Sequence, residues 1–325
     1  MASNKVVPTK YMLELKNVIM TERKVTESTA NTYIANLVLL NDKKTFNNLG
    51  FLKKNKDAII EHLSQYADTT EMNYLSAIVV ALSTRKDDHL YKTIHKFYSD
   101  MLNERLNKRD GEDTTVKSEA QKENWLSWED VENKWKQLKE EVDMFKNEKN
   151  LSRKNFEVLV DFLVLSLYAL IPPRRNKDYL CMWIMMNPKI EQESETKNYL
   201  DLENKKFYFH NYKTAKHYGT QTEDIPENLM EVINIWVKHH PTLKEKPKSE
   251  QVKLFINYEG ISNKKTLDNF ITLRLNRIFG KKVASTMLRH IYITHKFGNE
   301  YDTMLKTAVA MGHSIAEQKD YIKKD

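Results

Sequence analysis

Five side chains in the second half of the chain, in the order Arg175, Lys213, Arg289, His313 and Tyr321, could together carry out phosphoryl transfer. The last three lie in Met287-Leu288-Arg289-His290, in Met311-Gly312-His313-Ser314, and at a late tyrosine. That order suggests attack by a phenol on a phosphodiester. A phenol is a weak nucleophile near neutrality, since its unperturbed pKa is about 10. It becomes useful where cations surround the phosphate and stabilise charge on its oxygens.

Each residue also has a plainer role open to it. Pro172-Pro173 should end a buried helix, and Arg174-Arg175 follow at once. Asp178, three residues after Arg175, could orient its guanidinium, or the whole segment could be a charged helix end. Asn211-Tyr212-Lys213-Thr214-Ala215-Lys216 falls at the tip of an expected hairpin. Lysines there are either solvated or mobile ammonium groups able to protonate a departing 5′-oxygen. Arg289 adjoins Leu288, Ile291 and Tyr292, so it lies near a buried surface and needs an anion, either a carboxylate or a bound phosphate. Gly312 suits a left-handed helix cap, which puts His313 at a helix junction. Tyr321 is one of 16 tyrosines, so only its place in the order singles it out.

The elements that must hold these residues are mostly helical. Seven glycines and seven prolines in 325 residues favour helices over a sandwich or barrel. Helical spacing predicts a leading helix or arm over 1–25 and a compact helical domain over 26–106. Residues 107–124 are almost devoid of apolar side chains and read as a linker. In 125–325, Ser127 caps a helix to about 146, and a second, strongly apolar helix covers 152–170. Residues 206–212 and 222–225 form a small antiparallel sheet. Helices return over 227–238, 267–279, 283–297, 302–311 and 316–324. The fold class is thus mainly α with a small antiparallel β-sheet in the C-terminal domain. The single cysteine, Cys181, excludes an internal disulfide and fits a reducing, intracellular setting. No apolar leader opens the chain and no run spans a bilayer, so neither secretion nor a membrane partner is expected. A net charge of +7 suits a polyanion.

Taken together, the motifs resemble those of the tyrosine recombinases, or phage-type integrases, over roughly 125–325 and in the helical domain before it. Arg175-xx-Asp178, the hairpin Lys213-Thr214, Leu288-Arg289-His290, Gly312-His313-Ser314 and Tyr321 carry the likeness. The Pro-Pro-Arg-Arg and Met-Gly-His-Ser variants look like those of virophages and related viral mobile elements. The resemblance implies a two-domain clamp on double-stranded DNA, a homotetramer on two sites, unspecified accessory DNA-bending proteins, and no metal, ATP or other cofactor. Arg175 and Arg289 would clamp the phosphate, Lys213 would protonate the leaving group, and Tyr321 would form a 3′-phosphotyrosyl bond. Lys53, Lys54, Lys92, Lys96, Arg174, Lys216, Arg274 and Arg277 would contact phosphates.

Two departures bear on proton removal from the phenol. Thr286 stands where the family usually has a histidine, and His290 and His295 are expected to point away from that position. His313 and Tyr321 are separated by 8 positions where the family more often has nine. His313 or a phosphate oxygen then remains as base, with Thr286 and His290 in support. The short tail after Tyr321 implies a trimmed chain or assembly through another element. A type IB topoisomerase-like or telomere-resolving enzyme, or a catalytically impaired DNA-binding derivative, would carry much of the same pattern.

Overall fold

The computed structural model describes residues 7–111, 115–185, 197–245, 252–261 and 264–323. The chain divides into two compact units, Met1–Val116 and Lys117–Asp325. Among the described residues no helix is long and apolar enough to cross a membrane, and no group of acidic, histidine or cysteine side chains could hold a metal ion.

The first unit is all helix: α1 (Lys10–Arg23), α2 (Glu27–Leu40), α3 (Phe51–Lys54), α4 (Lys56–Leu63), α5 (Asp68–Ser83) and α6 (His89–Asp110). Side chains of Thr9, Thr26 and Asp88 accept from the first-turn amides of α1, α2 and α6, which sets where those helices begin. The leading segment is a core helix, since α1 buries Met12, Leu15 and Ile19. Tyr98 is fully buried, and its hydroxyl donates to the carbonyl of Leu52 at 3.0 Å.

The second unit opens with α7 (Glu119–Asn124), α8 (Trp128–Phe145), α9 (Arg153–Ala169) and α10 (Asn176–Leu180). Then come β1 (Met182–Met185), β2 (Asn198–Asp201), β3 (Lys206–Phe209), α11 (Ala215–Tyr218) and β4 (Gln221–Asp224). It closes with α12 (Glu227–His239), α13 (Pro241–Glu245), β5 (Val252–Lys253), α14 (Lys264–Phe279), α15 (Ser285–Ala310) and α16 (Ile315–Tyr321). Helix α9 is apolar almost all round, so it lies at the centre. Within it the buried Ser166 hydroxyl donates to Phe162 O and accepts from Trp135 Nε1.

Two expectations need correction, and the expected linker gains detail. The sheet is mixed, not antiparallel: its order is β4-β3-β2-β1-β5, with β1 and β2 parallel. A parallel pair needs a crossover of about a dozen residues, and the segment after β1 has that length. The boundary between the two units, after Val116, falls inside the polar stretch 107–124, whose two ends are helical. Helix α6 runs to Asp110, and a capping box between Ser118 and Gln121 starts α7. Asn124 anchors α7 by accepting from the amide of Lys282. Composition missed this because a short helix held by caps needs no apolar stripe. Finally, the two helices expected over 283–311 are one, α15, continuous through Gly298.

Ser127 caps α8 in a reciprocal pair with Asp130. Ser127→Ala should lower the stability of this unit by about 1 kcal/mol, with Ser127→Thr closer to wild type, read by urea unfolding.

Candidate active site

Helix α9 stops at Leu170, and Pro172-Pro173 stiffen the turn that follows. Arg175 then takes an extended backbone as the residue capping α10. The turn is pinned from two sides: Tyr168 Oη donates to Asn176 Oδ1 at 3.1 Å, and Asn176 Nδ2 donates to Thr272 Oγ1 of α14 at 3.0 Å. Arg289 comes from the first turns of α15, seated by buried Ser285, Leu288 and Ile291. Both arginines are half-buried and line one cavity of about 360 Å³, together with Pro172, Arg174, Asp178, Thr214, Tyr218 and Gln221.

The neighbouring arginines have different duties. Arg174 donates from Nε to Asp178 Oδ2 at 3.0 Å and from Nη2 to Gln221 Oε1 at 2.9 Å, and its guanidinium lies 3.7 Å from the Phe209 ring centre. Asp178 therefore orients Arg174, not Arg175, because α10 places the carboxylate one turn from residue 174. Burial pushes the Asp178 carboxyl up, and Arg174 and then Arg175 pull it back down. Arg175 and Arg289 have no carboxylate partner among the described residues. Arg289 also lies close enough to Tyr168 to draw its phenol down against the upward push of burial.

A second groove beside Pro172-Pro173 is lined by Thr286, Arg289 and His290. This corrects the orientation expected for His290. Residues 286 and 290 are four apart, so they share a face, and the exposed imidazole stands one turn from Thr286.

The other expected members are elsewhere. Lys213 is exposed on the segment between β3 and α11, and Lys216 is exposed on α11 itself. The tip is a helical turn, not a tight hairpin, and its Thr214 and Tyr218 reach the cavity wall. His313 and Tyr321 do not join the arginines. Between Arg289 and the end of α15 the unbroken helix rises about 30 Å, and His313 lies just past that end, its amide bonded to Ala308 O. There the rings of His313 and Tyr321 stack with centroids 5.4 Å apart. His313 Nδ1 is 3.1 Å from Ser314 O, and its buried Nε2 has no partner. A carbonyl only accepts, so Nδ1 carries the proton and Nε2 is left as a free acceptor.

Of the expected DNA-contacting cations, Lys53, Lys54 and Lys92 are exposed in the first unit, while Lys96 is bonded to Asp100 at 2.7 Å. Arg274, half-buried, and Arg277, exposed, are each paired with Glu157 and Asp161. Sequence reasoning missed Thr214, Tyr218 and Gln221 as wall residues. The signal available was their distance of only a few residues from Lys213.

No family model matches the chain, and no curated protein does. Among solved structures it is similar to one described as "Crystal structure of XerA recombinase", at 13% identity and a TM-score of 0.33, over 98% of this chain and 94% of that one. A likeness that slight carries no weight for fold or function, which rest on the geometry above.

The adjacent arginines should separate cleanly. Arg174→Ala leaves Asp178 buried without its main cation and should cost about 3 kcal/mol in unfolding experiments. Arg175→Ala should change stability by less than about 0.5 kcal/mol, while inorganic phosphate should raise the melting temperature of the wild type and not that of this variant.

Proposed function

We propose that this chain is a DNA strand-breaking and rejoining enzyme of the tyrosine-recombinase type. The observation that carries the proposal is the pair Arg175 and Arg289: two half-buried cations on one cavity, neither in an ion pair among the described residues although Asp178, Glu223 and Asp224 also line that cavity. A phosphodiester supplies the missing anion, and the guanidinium fork suits its non-bridging oxygens.

Tyr321 Oη attacks phosphorus while the bond to the 5′-oxygen breaks, and the ammonium of Lys213 gives that oxygen its proton. The phenolic proton goes to His313 Nε2, the free acceptor that travels with Tyr321. A 5′-hydroxyl reverses the step, so neither ATP nor a metal enters the scheme. Exposed Lys53, Lys54, Lys92 and Lys216 supply phosphate contacts that weaken with salt.

For Tyr321 to reach the arginines, α15 must break. Gly298 and Asn299 are poor helix formers at mid-helix. Beyond them Tyr301, Leu305 and Val309 are exposed, so a refolded arm gains apolar surface to cover. An added Cβ at Gly298 would meet Thr294 Cγ2 at 3.7 Å, an ordinary contact. Gly298→Ala should therefore stiffen the helix by about 1 kcal/mol and slow covalent attachment about fivefold, leaving phosphate binding unchanged. An unaltered rate contradicts a hinge at this position.

A nicked duplex that traps the covalent product should yield an adduct mapped to Tyr321. Attachment at Tyr218, the exposed phenol on the cavity wall, would reassign the nucleophile. No adduct from protein that still binds DNA would favour a DNA-binding derivative without strand cleavage, which the 30 Å separation also fits.

A further inference from the structure

The cavity's arginines and Lys213 come from different elements, and something must set their spacing. One side chain connects both elements. Asn198 begins β2 and is 1% exposed. Its Nδ2 donates to Asp178 O of α10 at 2.9 Å and to Asn211 O at 3.0 Å. Its Oδ1 accepts from the amides of His210 at 2.9 Å and Asn211 at 2.8 Å. Both donors and both lone pairs are thus used, the full capacity of a carboxamide.

The backbone explains the need. Strand β3 ends at Phe209, and its paired register with β2 runs from Tyr199↔Tyr208 to Asp201↔Lys206. Past that point a side chain takes over from the ladder, gripping the peptides two and three residues before Lys213. Its other arm holds the helix that starts immediately after Arg175.

We propose that Asn198 is a positioning residue that fixes the lysine-bearing segment relative to the Arg175 turn, and so sets the reach of Lys213 to the leaving-group oxygen. This rests on the function proposed above. Asn198→Asp keeps shape and both acceptor contacts but loses the two donors and sets a carboxylate against two carbonyls.

The test compares cleavage of an ordinary nicked duplex with one whose scissile 5′-bridging oxygen is sulfur, a leaving group that needs no proton. Asn198→Asp should slow the oxygen substrate about 10- to 100-fold, a partial loss beside the roughly 10²- to 10⁴-fold of a general acid removed outright, and the sulfur substrate less than about threefold. In a Lys213→Ala background the further loss should vanish. Equal slowing on both substrates, with Lys213→Ala still showing sulfur rescue, overturns the role of Asn198 alone. Absence of cleavage by the wild type overturns the proposed function and this inference with it. Should Asn198→Asp not fold, Asn198→Ser goes through the same comparison. Amide exchange in the wild type gives a further reading: His210 and Asn211 should exchange as slowly as ladder amides, and rapid exchange at both contradicts the grip.

Discussion

A half-buried arginine without a carboxylate is an unfinished interaction, and the second unit is organised around two of them. A guanidinium is a fixed cation with donors and no acceptor. Partial burial weakens the hydration of Arg175 and Arg289, and no carboxylate among the described residues forms an ion pair with either, Asp178, Glu223 and Asp224 lining the same cavity without reaching them. The contrast with their neighbours is sharp. Arg174 is neutralised by Asp178 and seated on Phe209, and Arg274 and Arg277 are tied to Glu157 and Asp161. The fold therefore pairs several arginines and leaves these two without an ion pair among the described residues.

The surrounding scaffold makes that arrangement stiff where it must be. Two prolines fix the turn after α9, Asn176 ties it to α14, and the Arg174–Asp178 pair locks α10 against the sheet. Asn198 extends the same frame to the segment that carries Lys213. His313 and Tyr321, by contrast, follow a long helix whose outer part exposes Phe297, Tyr301, Leu305 and Val309. In the proposed mechanism such a division would let the phosphate be held before the phenol arrives.

Much of this could be read in the sequence, and the limits have physical causes. The helix α9, its proline stop and the apolar seat of Arg289 follow from periodicity and from proline's lost amide. The pair Arg175-xx-Asp178 pointed to the right turn but the wrong arginine, since only the observed geometry of α10 shows which guanidinium the carboxylate meets. His290 could have been placed correctly, as four residues separate it from Thr286. The parallel strands β1 and β2 were missed because their pairing depends on a crossover and not on local alternation. Continuity of α15 was missed because Gly298 and Asn299 look like a break. A long helix tolerates one weak pair when its first turns are anchored in a core. Asn198 gave no sequence signal, since a saturated carboxamide is visible only through its partners.

The central claim is that Arg175 and Arg289 stabilise charge on the non-bridging oxygens of a phosphodiester. Replacing one such oxygen by an uncharged methyl group, as a methylphosphonate at the scissile position, tests it directly. On the natural phosphate, Arg289→Ala should slow covalent attachment about 10²- to 10³-fold, the usual loss for a preorganised donor. On the methylphosphonate isomer lacking the oxygen that Arg289 faces, the same substitution should cost less than about tenfold. An undiminished loss on both isomers would show that Arg289 does not act on the phosphate charge, and would contradict the account.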